Sequence, residues 1–269
     1  MPSAHVNGIE MYYERHGEGP PLVVCNGSGA SIAAAGPMID KLAAHFEVLI
    51  HDQRCLGRTE VPAVQPAMAD YAADVAALLD HVGWPTARVF GISFGGMVAQ
   101  EFAVTWPERV ERLALLCTSP GGAGGSSYPL HEVPLLPVEE QEGVRLRTAD
   151  TRYTREFLAT HPFDQRLVDL AAAGRALPRT EVQQRGEAMQ LEARRHHDVW
   201  ERLGRIGCPA LVACGEFDGL APPENSQAIA SRLAAADLRM YQGGHAFVWQ
   251  DRTAWPEVVA FLAGRAVSG

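Results

Sequence analysis

The pentapeptide at residues 91–95, Gly-Ile-Ser-Phe-Gly, joins an apolar strand-like run at 88–90 to a helical run at 96–103. Glycines two residues before and two residues after Ser93 leave room for a sharp turn, because a larger side chain would collide with the neighbouring strand or helix. The pattern G-x-S-x-G also arises by chance in Gly-rich chains, but here the strand before it and the helix after it are both present. The segment therefore predicts a strained strand-to-helix turn that exposes the hydroxyl of Ser93 as a nucleophile.

Strand-like and helix-like segments alternate on both sides of this turn. The chain opens with a predicted antiparallel strand pair around Asn7-Gly8, within residues 6–16. Further strands are predicted at 22–25, 48–50, 88–90, 110–117, 209–214 and 238–241, and helices at about 33–46, 70–82, 94–103, 223–235 and 253–266. This alternation predicts an α/β fold: a mostly parallel, doubly wound, eight-stranded sheet with helices on both faces.

The alternation stops once, after the sixth predicted strand. Residues 118–137 are rich in glycine, proline and serine, and residues 139–203 are polar and helical in character, with no obvious strand. We therefore predict a helical cap at 120–205, inserted into a core formed by residues 1–119 and 206–269. No internal repeat or low-complexity tract is evident.

The composition narrows the classes of partner and location. The chain has 269 residues and a formal net charge of −9, which argues against nucleic acid or an anionic membrane as the main partner and favours a small-molecule substrate. No signal-like N-terminus or membrane-length apolar stretch is seen, so we expect a cytoplasmic protein, and a homodimer stays open. The five cysteines are odd in number and lack CxxC spacing, so no metal site is expected.

A base and an acid for Ser93 follow two later strands. Asp218 comes after the run at 209–214, and His245 comes after the run at 238–241. A serine hydroxyl needs a base, usually an imidazole, and a carboxylate that orients that imidazole. All three residues follow predicted strand ends, where the loops of a doubly wound sheet converge. We predict a triad of Ser93, Asp218 and His245, with Glu216 as the alternative acid.

An oxyanion hole requires two backbone N–H groups that converge on one substrate oxygen. Phe94 can supply the first, because it follows the nucleophile and begins a helix whose dipole adds to the effect. The second is predicted in the loop at 26–29, Asn-Gly-Ser-Gly. We assign it to Ser28, with Gly27 as the alternative, and we place Asn26 and Gly27 beside the substrate.

Over nearly its full length the chain resembles the α/β-hydrolase superfamily. The resemblance rests on residues 91–96, 52–59, 215–218 and 244–245, which occur in the expected order. It is strongest to small capped serine esterases and lactonases, such as 3-oxoadipate enol-lactonases and aclacinomycin-type methylesterases. The chain departs from the family at Asn26-Gly27, where His-Gly is usual, and at residues 54–57, where the family has Arg-Gly-x-Gly.

The resemblance implies a helical cap over the active site, no cofactor, and hydrolysis of a carboxylic ester or lactone through an acyl-enzyme. Hydrolysis of C–C bonds, cofactor-free perhydrolysis and acyl transfer or cyclisation use the same triad, and a small-molecule receptor is the alternative without catalysis. For substrate binding we also name Tyr153, Trp200 and Phe247. An apolar cap pocket is favoured, built from Leu135, Leu136, Tyr153, Phe157, Leu158, Met189 and Trp200. The rival hypothesis is a carboxylate clamp formed by Arg145, Arg147, Arg152 or Arg155.

Overall fold

The computed structural model describes residues 2–265 and is built around one eight-stranded sheet. The strand order is β1-β2-β4-β3-β5-β6-β7-β8, with antiparallel pairing between β1 and β2 and between β2 and β4, and parallel pairing elsewhere. The strands are β1 (Ser3–Val6), β2 (Ile9–His16), β3 (Pro21–Cys25), β4 (Glu47–His51), β5 (Ala87–Ile92), β6 (Val110–Leu116), β7 (Ala210–Gly215) and β8 (Ala236–Tyr241).

Six of the α-helices connect or follow strands of the sheet. They are α1 (Gly36–Ala43), α2 (Met68–His81), α3 (Phe94–Thr105), α8 (Pro223–Arg232), α9 (Phe247–Gln250) and α10 (Ala254–Leu262). Four more lie between β6 and β7 in the chain and are called the cap helices below. They are α4 (Val138–Ala149), α5 (Arg155–Thr160), α6 (Pro162–Ala176) and α7 (Glu181–Arg195). Short 3₁₀ turns occupy Ile32–Ala34, Pro107–Arg109, Gly122–Gly124, Leu130–Leu135 and Trp200–Arg205.

Each face of the sheet is covered by its own apolar cluster. One cluster contains residues of α2 and α3, such as Leu78 and Phe102, and the other contains residues of α1 and α10, such as Leu42 and Leu262. The middle strands are apolar on both faces because both faces are covered, and every residue of β7 is buried. The carboxyl ends of the parallel strands therefore extend from a sheet that is packed on both faces.

The predicted sheet and its single interruption after the sixth strand are present. The helix predicted at 33–46 is shorter, because Pro37 begins α1 near Gly36 and a 3₁₀ turn precedes it. The sequence did not suggest α9, which is only four residues long. The predicted end of the last helix, Ala266, lies outside the described residues, and the bounds of core and cap stay a prediction. No helix within residues 2–265 has the length and apolar character to cross a membrane.

Candidate active site

Ser93 occupies a strained turn between β5 and α3. Its backbone has φ 56° and ψ −119°, a conformation that side chains rarely adopt. A Cβ atom on Gly95 would lie 1.9 Å from the carbonyl oxygen of Cys25, and one on Gly91 would lie 2.5 Å from the carbonyl oxygen of Gly95. Only glycine fits at either position, so the close packing of β3, β5 and α3 explains the motif.

The end of β6 holds the same turn from the other side. The N–H of Ser93 donates to the carbonyl of Leu116 over 2.8 Å, and the hydroxyl of Thr118 donates to the carbonyl of Ser93 over 2.8 Å. The backbone of the serine is thus fixed by two neighbours, which leaves its side chain to face the edge of the sheet.

Ser93, His245 and Asp218 form a continuous chain of hydrogen bonds. The Nε2 atom of His245 lies 2.9 Å from Oγ of Ser93, and its Nδ1 atom lies 2.8 Å from Oδ2 of Asp218. The Asp218 carboxylate is fully buried, whereas 20% of the His245 side chain is exposed. This geometry allows the imidazole to take a proton from the serine while the carboxylate fixes its orientation.

The two candidate acids lie in different surroundings. The Oδ1 atom of Asp218 accepts the backbone N–H groups of Leu220 and Ala221, each over 2.8 Å, which leaves Oδ2 for the histidine. Glu216 is exposed and is bound by the side-chain amide of Gln242 over 2.6 Å. The structure therefore brings Asp218, and not Glu216, to His245.

The sequence left two candidates, Ser28 and Gly27, for the second backbone N–H of the oxyanion hole, and in the loop after β3 one of them is unpaired. The N–H of Gly27 donates to the side chain of Asn26, and the N–H of Gly29 donates to Oε1 of Gln190. Within residues 2–265 we find no acceptor for the N–H of Ser28 or of Phe94. A Cβ atom on Gly27 would lie 3.7 Å from that of Ser93, so this loop runs directly beside the serine. Of the two candidates, the free amide is that of Ser28.

The loop after β4 supports the loop that carries Ser28. Gln53 donates from its side chain to the carbonyl of Asn26 over 2.6 Å, and Asp52 accepts the N–H of Ile32 over 2.7 Å. Arg54 forms a buried, bidentate ion pair with Asp74. The motif at 52–59 thereby fixes the loop that carries Ser28.

Cys117 lies close to the triad, and sequence reasoning missed it. Its sulfur lies within 4.8 Å of ligand atoms of Asp218 and His245. Burial, and then the charge of Asp218, raise the pKa of this thiol well above its usual range. A neutral thiol is a poor metal ligand and a poor nucleophile, so we assign no catalytic role to Cys117. Its position at the end of β6 was the available signal.

The cap is bonded to both loops that carry triad residues. The N–H of His245 donates to the carbonyl of Ala149 over 2.7 Å, and the N–H of Thr151 donates to the carbonyl of Phe217 over 2.9 Å. A Cβ atom on Gly244 would lie 2.1 Å from the same Ala149 oxygen. The C-terminal end of α4 therefore rests directly on the histidine loop and the acid loop.

A cavity of about 620 Å³ lies between the cap and the core, beside the loop that carries Ser28. The loops after β3 and β4 form one wall, and α6, α7 and the segment between them form the other. Its lining combines aliphatic side chains with the amide of Gln190 and the ion pair of Arg179 with Glu187. The aliphatic side chains are Ala30, Ala34, Leu56, Leu130, Ala171, Leu177, Pro178 and Leu191.

Three side chains predicted to contact substrate lie elsewhere. Tyr153 is buried and donates to Asp164 over 2.8 Å. Trp200 lies under the guanidinium of Arg232, 4.1 Å from it. Phe247 is fully buried and stacks on Tyr241 in the core. Of these three, none lines the cavity, because each is packed against a partner of its own.

The other side chains predicted to form the cap pocket do not line the cavity either. Leu135, for example, is 82% exposed. Arg152 pairs with Asp150 through two bonds of 2.9 and 2.6 Å, and Arg145 bonds to Gln141. Neither the proposed apolar residues nor the four proposed arginines line the cavity described above. Helical spacing alone does not say which face of a cap helix meets the core, so a role of these residues in substrate binding stays a prediction.

Comparisons with known proteins show the family to which the chain belongs. Residues 20–251 match the family described as alpha/beta hydrolase fold. The chain is 28% identical over 247 residues to a poly(3-hydroxyalkanoate) depolymerase from Ectopseudomonas oleovorans, which covers 90% of this chain and 84% of the relative. It is 26% identical over 233 residues to 3-oxoadipate enol-lactonase 2 from Acinetobacter baylyi, which covers 84% and 82%. The solved structure of an enol-lactonase from Burkholderia xenovorans LB400 shares the fold, with a TM-score of 0.78, 23% identity and coverage of 98% and 100%.

The chain therefore belongs to the alpha/beta hydrolase fold family, and it is a hydrolase with lactonase-type relatives. The fold class and the resemblance predicted from the sequence are confirmed.

Proposed function

We propose that the protein is a serine hydrolase that cleaves a small carboxylic ester or lactone through an acyl-enzyme. The observation that carries the proposal is the chain of bonds from Ser93 through His245 to Asp218, with bond lengths of 2.9 and 2.8 Å. A serine, an imidazole and a buried carboxylate in this order are the requirements for nucleophilic attack on a carbonyl carbon.

The steps follow from the positions of these groups. His245 takes the proton of Ser93 as the oxygen attacks the substrate carbonyl, and the N–H groups of Ser28 and Phe94 stabilise the resulting oxyanion. The imidazolium then protonates the leaving oxygen, which departs and leaves the acyl group on Ser93. A water molecule, deprotonated by the same imidazole, attacks this acyl-enzyme and releases the acid.

The cavity and the relatives support a small substrate. The cavity is lined by Ser28 but by none of the three triad residues, and its volume of about 620 Å³ is within the range of small-molecule sites. One relative is named a lactonase, which fits ester-type chemistry. The proposed location is the cytoplasm, and the proposed partner is the small-molecule substrate, with a homodimer still open.

A fluorophosphonate probe tests the nucleophile, and a substrate panel tests the reaction. We expect the probe to label Ser93, as located by peptide mass spectrometry, and to leave the Ser93→Ala variant unlabelled. An unlabelled wild-type protein would instead indicate a receptor. The panel contains aryl esters, lactones and a vinylogous diketone; turnover of the diketone alone would replace the proposal with C–C hydrolysis.

A further inference from the structure

Two buried polar groups beside the cap–core cavity have no hydrogen-bond partner. They are the side-chain amide nitrogen of Gln190, on α7, and the hydroxyl of Ser28, in the loop after β3. Both residues line the cavity, and neither polar atom is reached by solvent. In the part of the chain that the structure describes, nothing pairs with either group. Because unpaired polar groups are disfavoured inside a protein, this pair calls for a partner from outside the chain.

The orientation of the Gln190 amide is fixed by the core. Its Oε1 atom accepts the N–H of Gly29 over 2.8 Å. The opposite orientation would place the amide NH₂ group against a backbone N–H, donor against donor. The unpaired group is therefore an NH₂, which can only donate.

The helix that carries Gln190 is seated closely on the core. Gly186, one turn earlier on the same face, packs so tightly that a Cβ atom would lie 2.0 Å from the carbonyl oxygen of Cys55. Gln65 also donates to the carbonyl of Met189 over 2.9 Å. Gln190 itself is only 1% exposed, so its amide lies at the contact between α7 and the core.

The positions of Gln190 and Ser28 in the fold connect them to the proposed oxyanion hole. Under the proposed function, which this inference deepens, the N–H of Ser28 holds the carbonyl oxygen of the substrate. Gly29, the residue that anchors Gln190, follows directly in the chain. A substrate atom paired with Gln190 and Ser28 therefore lies within a few bonds of the scissile carbonyl.

We infer that Gln190 and Ser28 form a subsite for a second oxygen of the substrate, located close to the scissile carbonyl. The donor-only amide requires an acceptor, and the serine hydroxyl either donates or accepts, so a keto or hydroxyl oxygen satisfies both. The substrate class is then an ester or lactone with an oxygen substituent near the scissile bond. Binding requires the cavity to widen slightly beside these two residues.

Matched substrates and variants test the subsite. The substrates are phenyl hexanoate and its 3-oxo and 3-hydroxy counterparts, and the variants are Gln190→Met, Ser28→Ala and a control, Gln184→Met. Gln184 is exposed on the same helix and bonds to the carbonyl of Arg179. The readout is the ratio of kcat/KM for the oxygenated ester to that for the plain ester. Comparing this ratio between variants cancels the intrinsic reactivity of each ester.

We expect Gln190→Met to lower this ratio about tenfold and Ser28→Ala to lower it by a smaller factor, while Gln184→Met leaves it unchanged. If Gln190 only holds the loop through Gly29, its loss lowers kcat/KM for all three esters equally. A ratio within twofold of wild type in both Gln190→Met and Ser28→Ala overturns the subsite. If the wild-type protein hydrolyses none of the esters, the proposed function itself has failed. Should Gln190→Met fail to fold, Ser28→Ala, which keeps the backbone N–H, decides the matter.

Discussion

Helix α3, which directly follows Ser93, and the cap helix α6 have opposite surroundings. Eleven of the twelve residues of α3 are buried, and none of the fifteen residues of α6, all of them described, is buried. α3 lies between the sheet and α2, whereas α6 faces the cavity on one side and solvent on the other.

This difference separates two kinds of sequence constraint. In α3 almost every side chain contacts the core, so the position of Ser93 is set by many neighbours. In α6 the side chains have few neighbours, so substitutions there change the cavity at little cost to the fold. Substitutions in the rigid core are therefore expected to have larger effects than substitutions in the permissive cap.

Ser93→Ala is expected to lower kcat on the order of 10⁶-fold, because the attacking oxygen is removed while oxyanion stabilisation and binding remain. Its urea unfolding curve should match that of the parent, since alanine leaves the backbone contacts of the turn in place. The measurement is ester hydrolysis under saturating substrate. Activity within tenfold of wild type would remove Ser93 from the mechanism.

Asp218→Asn is expected to lower kcat about 10⁴-fold, because the amide would orient His245 in the wrong tautomer. Glu216→Gln is the matched control in the same loop, and less than a tenfold change is expected from this exposed side chain. Parallel kinetics on the two variants check the assignment. A larger loss in Glu216→Gln than in Asp218→Asn would mean that the acid has been misidentified.

Glycine-to-alanine changes in the two helices should have effects of opposite sign. Gly95→Ala, in α3, is expected to lower the free energy of unfolding by about 3 kcal/mol or more, because its Cβ meets the Cys25 carbonyl at 1.9 Å. Gly174→Ala, in α6, meets nothing within 4 Å and should raise it by about 0.5–1 kcal/mol. Urea denaturation measures both. Equal destabilisation by the two changes would contradict the contrast between the helices.

Acid should weaken the core through His51, in β4. Burial lowers the pKa of His51 from 6.5 to about 4. Between these values the unfolded chain binds a proton that the folded protein does not, so the free energy of unfolding falls as the pH falls. The expected loss from this residue at pH 5 is about 2 kcal/mol.

The test compares urea unfolding at pH 7 and pH 5. His51→Gln should lose less stability between the two pH values than wild type does, whatever its stability at pH 7. His196→Gln, on the exposed surface of the cap, is the control. An unchanged pH dependence in His51→Gln would show that the buried ring does not carry this effect.

The sequence predicted the sheet well because its constraints are local. Buried parallel strands are short apolar runs, and the glycines at 91 and 95 form a recognisable local pattern around Ser93, although the packing that requires Gly95 involves β3. Asp218 and His245 could be chosen because each directly follows a strand, and strand ends meet at one edge of the sheet.

The cap was less predictable because its contacts are not local. Tyr153 and Trp200 are aromatic residues in a cap segment, and nothing in the sequence shows that Asp164 and Arg232 are their partners. Gln190 was missed for the same reason: it is a polar residue on a polar helix, and its importance comes from Gly29, far away in the chain. Cys117 was also missed, since its neighbours in the triad belong to later loops.

The bonds from the end of α4 to the histidine and acid loops also determine how the cap can move. If α4 swung outward, the Ala149 and Thr151 bonds would pull His245 and Phe217 with it, so opening at that side would disassemble the triad. Within residues 2–265, no backbone hydrogen bond joins α6 or α7 to these two loops, and α6 is linked to the histidine loop through the side chain of Gln250, which bonds to Asp164 and to the N–H of Gly244. Substrate entry is therefore expected on the side formed by α6 and α7, with amide hydrogen exchange faster in α6 than at residues 149–151. Catalytic geometry and access to the cavity would then depend on opposite ends of the cap.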